Sequence, residues 1–142
     1  MSLDERGGAT NEGAARSGGR NWRLLIVDDS NIIRRRIERS QQFSDLEVVG
    51  AASNGVEALE LFRKTDPDLV TMDLTMPQMD GIECIEKLVE WKPAVRILVI
   101  SALADKATAV DAMEKGANGF LNKPFTDRQL NEALAELIRG RR

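Results

Sequence analysis

Five polar residues stand directly after short apolar runs. Asp28 and Asp29 follow Leu24-Leu25-Ile26-Val27, and Asp73 follows Leu69-Val70-Thr71-Met72. Ser101 closes the run from Val95 through Ile100, and Lys123 comes just after Gly119-Phe120-Leu121. If the fold gathers these ends, three carboxylates, an ammonium group and a hydroxyl share one pocket. Two carboxylates ~4 Å apart repel by on the order of 4 kcal/mol at an effective dielectric of about 20. Such a cluster persists only with a balancing cation or with raised pKa values. Lys123 supplies one positive charge, and a divalent metal supplies the rest. The chain has no histidine and one cysteine, Cys84, so the metal must be a hard cation held by oxygen. Mg²⁺ fits best, because it keeps several waters and pairs one or two carboxylates with a phosphate. Carboxylate, Mg²⁺, lysine and hydroxyl together suit phosphoryl transfer, in which the protein mainly positions groups and neutralises charge. A carboxylate can itself be the nucleophile and become an aspartyl-phosphate. Asp73, at the end of the central strand, is the candidate acceptor. Asp28 and Asp29 are candidate metal holders, Lys123 bridges to a phosphoryl oxygen, and Ser101 donates a hydrogen bond to another.

Composition narrows the alternatives. A chain of 142 residues is expected to hold one domain and to bury about 68% of its unfolded surface. Acids outnumber bases by 23 to 20, for a net charge of −3, which argues against nonspecific nucleic-acid binding. The missing histidine excludes Ser-His and Cys-His catalysis and any phosphohistidine on this chain. The lone Cys84 excludes an intrachain disulfide and a cysteine-rich zinc site. No apolar run approaches the ~20 residues of a membrane helix, and no signal-peptide core opens the chain. The expectations are no membrane insertion and a cytoplasmic location.

The elements that must position these residues are legible as alternating signals. Residues 1–21 hold five of the 11 glycines and no aromatic or β-branched aliphatic residue, and they read as a flexible N-terminal tail. The domain is expected over 22–142. After the first strand, Ser30 caps a helix containing Ile33 and Ile37. Val48-Val49-Gly50-Ala51 reads as a weaker second strand. Val56, Leu59 and Phe62 mark a second helix that stops before Asp66-Pro67. Ile82, Ile85, Leu88 and Val89 stripe a third helix, closed by Pro93. A fourth helix spans roughly 104–115, with Gly116 placed to end it. Leu130, Ala133, Leu134, Leu137 and Ile138 stripe the last helix. Five strands alternating with five helices predict an α/β, doubly wound, five-stranded parallel sheet covered on both faces. The flavodoxin-like order 2-1-3-4-5 is one that such sheets take, and it is the order expected here. In such flavodoxin-like sheets the site lies at the carboxyl edge of the strands.

From Leu24 to Leu137 these residues, in this order, resemble the receiver domain of two-component response regulators, and most of all the chemotaxis-type single-domain branch. The likeness rests on several stretches. They are Ile26-Val27-Asp28-Asp29-Ser30, Pro67 through Pro77 with Asp80-Gly81, Ser101-Ala102, Gly116-Ala117, and Phe120-Leu121-Asn122-Lys123-Pro124-Phe125. The resemblance implies that Asp73 is phosphorylated from a phosphohistidine on a histidine kinase or histidine phosphotransfer protein. It implies Mg²⁺ bound by Asp29, Asp73 and the backbone carbonyl of Thr75, with Asp28 assisting. It implies Lys123 on the phosphoryl group, a cis Lys123-Pro124 bond, and a switch in which Ser101 moves and the Phe120 ring turns inward. The fourth helix, fifth strand and fifth helix then present an altered face to a downstream protein, a flagellar motor switch protein being one candidate. Thr75 and Leu103 occupy the two variable positions that tune autodephosphorylation in this family. Leu103 is apolar and cannot orient the attacking water, so a long-lived phosphoryl state is expected.

Taken singly, each fragment has a plainer reading. Asp28-Asp29-Ser30 is also an ordinary strand-to-helix turn, and Arg34, Arg35, Arg36 and Arg39 also make a solvated helix face, though receivers use this helix to dock phosphodonors. Cys84, the methionines at 72, 76 and 79, and Trp22 and Trp91 read as packing residues. A phosphatase of the haloacid-dehalogenase type needs an acid two residues after its nucleophile, where this chain has Thr75. A nucleotide-binding domain needs a glycine-rich loop after the first strand, where this chain has two carboxylates. The expected activity is that of a stand-alone phosphoacceptor signalling protein rather than an enzyme. The alternatives are a phosphorylation-independent interaction module or a phosphate sink for a kinase.

Overall fold

A computed structural model describes residues 21–102 and 105–140. Residues 1–20 of the expected tail and Leu103 therefore lie outside the described residues. Within them the strands are β1 (Trp22–Val27), β2 (Leu46–Ala52), β3 (Leu69–Met72), β4 (Arg96–Ser101) and β5 (Gly119–Asn122). The helices are α1 (Asn31–Ser40), α2 (Gly55–Thr65), α3 (Gly81–Trp91), α4 (Lys106–Glu114) and α5 (Asp127–Arg139). The strands form one parallel sheet in the order β2-β1-β3-β4-β5, the 2-1-3-4-5 order expected.

Apolar residues on both faces of each strand make two cores, one on each side of the sheet. Leu24 and Ile26 face one way with Leu69, Leu98 and Ile100, against Ile37 of α1 and Leu130, Leu134, Leu137 and Ile138 of α5. Leu25 and Val27 face the other way with Val70, Met72, Ile97 and Val99, against Phe62 of α2, Ile85 and Leu88 of α3 and Ala112 of α4. Alternation along each strand is what splits the apolar run between the two layers.

Each helix starts at a side chain that accepts a backbone N–H, as orphan N–H groups require. Ser30, Asn54, Asp80, Asp105 and Thr126 play this part. Thr126 and Gln129 complete a reciprocal capping box at the start of α5. Gly116 ends α4 at φ +121°, and a Cβ there would come within 2.7 Å of Val89.

Some details differ from the sequence expectation. α4 begins at Lys106, because the Asp105 carboxylate accepts the Thr108 amide and fixes the start there. α2 turns Gly55, Ala58 and Phe62 inward, a face rotated from the expected stripe, and leaves Val56 44% exposed. Trp91 packs on its neighbours, but outside the core. It lies at the surface, its ring under the Arg63 guanidinium at 4.0 Å and beside Phe62. β2 extends beyond the four expected residues at both ends, to Leu46 and Ala52, and skips Val49 in its pairing with β1.

Candidate functional site

The carboxyl ends of β1, β3, β4 and β5 share one edge of the sheet. Asp28 follows β1 and is held there by its amide, which donates to the Ala52 carbonyl of β2 at 3.0 Å. Asp73 follows β3, its amide donating to the Val27 carbonyl of β1 at 2.9 Å. The strand pairing thus carries both acids to the same height. Carboxylate oxygens of Asp28, Asp29 and Asp73 all lie within 4.8 Å of one another. Asp28 and Asp73 are buried, and Asp29 is exposed at the mouth.

Lys123 follows β5 and reaches across. Its Nζ lies 2.8 Å from Asp28 Oδ2 and 3.7 Å from Asp73 Oδ2. Its amide donates to the Ser101 carbonyl at 2.9 Å, which ties the lysine backbone to the end of β4. The Lys123-Pro124 bond is cis, as the resemblance implies. Ser101 is fully buried, opposite Asn122 in the β4–β5 register. Phe120 is half-buried and packs on the core beneath α2, α3 and α4. It also lines a cavity of about 380 Å³ on the β5–α5 side, with Leu98, Ala133, Glu136 and Leu137.

The loop after Asp73 is shaped to the acid. The Thr75 amide donates to Asp73 Oδ1 at 3.3 Å. Gly81, the first residue of α3, donates its amide to the Leu74 carbonyl, and a Cβ there would sit 2.4 Å from the Asp73 carbonyl oxygen. Only a residue without a side chain lets α3 start so close to Asp73. Between them, Gln78 has φ +75°, and the Met79 amide returns to the Pro77 carbonyl.

Charge in the pocket is unbalanced, with three carboxylates against one ammonium group. Burial first, and then the charge of Asp28, push the Asp73 carboxyl from 3.8 up to about 6, against the opposing pull of Lys123 and the Thr75 amide. The donor set is oxygen alone, without histidine or thiolate, and carries surplus negative charge. These residues therefore fit a hard divalent cation such as Mg²⁺.

All the acids and the lysine expected from the sequence are brought together, and Ser101 and Thr75 border them. Sequence reasoning missed Arg34. Its Nη1 donates to the Asp28 carbonyl at 2.6 Å, and its Nη2 to Asn31 Oδ1 at 3.3 Å. The run of arginines was visible, but nothing in it distinguished the one that turns back toward the pocket. Arg36 turns the other way, to Asp127 at 3.2 Å and over the Phe125 ring.

Known proteins share this fold and much of this sequence. The family model for the response regulator receiver domain matches residues 24–135. The chemotaxis protein CheY of Listeria monocytogenes is 41% identical over 112 residues, covering 79% of this chain and 94% of its own. The response regulator domain of Thermotoga maritima CheB superposes with a TM-score of 0.74 at 36% identity, covering 85% of this chain and 96% of that one. A chain from the CheX-CheY-BeF3-Mg²⁺ complex of Borrelia burgdorferi superposes with a TM-score of 0.77 at 30% identity, covering 82% and 88%.

Proposed function

The chain belongs to the response regulator receiver family, and on that premise we propose that it accepts a phosphoryl group on Asp73 from a phosphohistidine of a partner protein. The observation that carries this reading is the Asp73 carboxylate, held within 4.8 Å of two further carboxylates and 3.7 Å from the Lys123 ammonium. Asp29, Asp73 and the Thr75 carbonyl would hold Mg²⁺, with Asp28 assisting. When bound, Mg²⁺ offsets the carboxylates and the incoming phosphoryl charge.

An Asp73 carboxylate oxygen attacks phosphorus in line while the bond from phosphorus to the donor imidazole breaks. The leaving nitrogen keeps the bonding pair and takes up a proton. Lys123 moves its charge from Asp28 to a phosphoryl oxygen, and the Ser101 hydroxyl donates to another. Pulling Ser101 toward the phosphoryl group makes room for Phe120 to turn inward. The face formed by α4, β5 and α5 then changes shape for a downstream protein, a two-state equilibrium biased by a new dianion.

The phosphodonor, a histidine kinase or histidine phosphotransfer protein, docks beside the pocket on α1, where Ile32 is 78% exposed next to the exposed Arg35. A CheY chain crystallised with CheX and BeF3-Mg²⁺ is among the structural relatives, which supports a protein rather than a nucleic acid as the partner. No helix among the described residues is long and apolar enough to cross a membrane, and a cytoplasmic setting follows from the same reading. Residues 22–142 are proposed as the receiver unit.

The test is intact mass after incubation with acetyl phosphate. One phosphoryl group is expected, dependent on Mg²⁺ and absent from Asp73→Asn. An adduct that persists in Asp73→Asn would overturn the assignment of the acceptor. No adduct, and no stable beryllofluoride complex, would overturn phosphoacceptance itself.

A further inference from the structure

Asp28 is hydrogen-bonded through its amide, its Oδ1 and its carbonyl, and its Oδ2 is ion-paired without a hydrogen bond. Its amide goes to Ala52, its Oδ1 accepts the Ser30 amide at 2.8 Å, and its Oδ2 faces Lys123. Its carbonyl is held by Arg34, at 2.6 Å. That carbonyl belongs to the peptide unit that leads into Asp29, so its orientation sets where the Asp29 backbone points. Asp29 itself is exposed, so packing does not fix it. Arg34 is well placed to act on this peptide. It is part-buried in the second turn of α1, its own amide bonded to the Ser30 carbonyl at 3.0 Å, and its other guanidinium nitrogen is anchored on Asn31.

We propose that Arg34 is a positioning residue for the acidic pocket: by fixing the Asp28–Asp29 peptide it aims the Asp29 carboxylate at the cation shared with Asp73. The assignment rests on the reading of the pocket as a Mg²⁺ site. Two effects of the side chain oppose one another, and their signs differ. As a nearby positive charge, Arg34 repels Mg²⁺, and removing it would tighten binding. As a support for a ligand, it favours Mg²⁺, and removing it weakens binding. Groups that orient metal ligands are commonly worth tenfold or more in affinity, whereas a partly solvated charge is screened. Positioning therefore wins.

The experiment is calorimetric titration of Mg²⁺ into the full chain and into Arg34→Met and Arg34→Lys, together with metal-free melting temperatures. Arg34→Met keeps the aliphatic stem and is expected to weaken Mg²⁺ binding about tenfold while melting, metal-free, close to the parent. Arg34→Lys keeps the charge and one donor but not the two-pronged bond, and is expected to fall between. Equal or tighter binding by Arg34→Met would overturn the assignment. So would weaker binding that is matched by a lower metal-free melting temperature, or Arg34→Lys binding as tightly as the parent. A parent chain that binds no Mg²⁺ would instead overturn the underlying reading of the pocket, and the assignment with it.

Discussion

At the scale of single residues, Asp73 is the group whose energetics dominate. Its carboxyl stands at about 6 in the fold against 3.8 unperturbed. Between about pH 4 and pH 6 the folded protein holds a proton that the unfolded chain has released. Stability from this group is therefore full at low pH and is lost as pH rises through 6. Near pH 7 the ionised group costs the metal-free fold on the order of 2–3 kcal/mol. Asp73→Asn cannot ionise, so it should be more stable than the parent near pH 7.5 and nearly equal to it near pH 3.5. Urea unfolding at both pH values measures this, and a difference that stays constant with pH would refute the electrostatic origin. Thr71 gives a second prediction. It is buried in β3, and its Oγ1 makes no hydrogen bond. An unpaired buried hydroxyl is a net cost, so Thr71→Val should raise stability by about 1 kcal/mol. Thermal melting reads this directly, with phosphorylation by acetyl phosphate unchanged. The acids and Lys123 were legible from the sequence because each closes an apolar run. Arg34 was not, because its bond is to a backbone carbonyl and leaves no pattern of residue types.

At the scale of elements, the close start of α3 is the tightest constraint on the site. Gly81→Ala would place a methyl group 2.4 Å from the Asp73 carbonyl oxygen and 2.7 Å from Leu74 Cα, both of them backbone. Neither can yield as a side-chain tip would, so the loop from Asp73 to α3 must shift. The expected cost is about 1–3 kcal/mol, with slower phosphorylation because Thr75 moves with the loop. Melting temperature and the rate of uptake from acetyl phosphate measure the two effects. A variant with the parent's values in both would show that the loop has slack. Strands and helices were legible as types because burial on both faces of the sheet leaves continuous apolar runs between amphipathic stretches. Exact faces were less so. α2 shows Val56 to solvent because Gly55 and Ala58, small residues without a hydrophobic signal, are the ones pressed inward. The turn at Gln78 was invisible for a related reason. Positive φ is signalled by glycine or asparagine, and here a glutamine adopts it under the constraint of its neighbours.

At the scale of the whole molecule, the proposed chemistry and the proposed exit of the signal sit on adjoining strands. Ser101 ends β4, and Lys123 follows β5, the outermost strand on its side of the sheet. A half-open pocket of about 380 Å³ lies beside this edge, between β5 and α5. A change at the acidic pocket is expected to spread outward through β5. With Mg²⁺ and beryllofluoride, amide exchange should change over Gly119–Asn122 and in α4, and should be unaltered in β2 and α2. Hydrogen-exchange mass spectrometry tests this, and a uniform change across the sheet would contradict it. The parallel sheet was legible because strands buried on both faces alternate with helices, whereas the order of its strands came from the resemblance, since right-handed crossovers alone allow other orders. The half-open pocket was not legible, because it depends on how α5 lies against β5.

The strand order also bears on how the molecule comes into being. β1 is completed by β2 on one flank and β3 on the other, both close behind it in the chain, so the acids can gather early. Their counter-charge arrives last, on β5, after almost the whole domain has been made. A nascent chain that has not yet docked β5 carries the carboxylates without the ammonium group, and such non-local contacts are slow to form. On the phosphoacceptor reading proposed above, a chain whose β5 has not docked lacks Lys123 beside the acids, so competence to take up a phosphoryl group would report that β5 is in place.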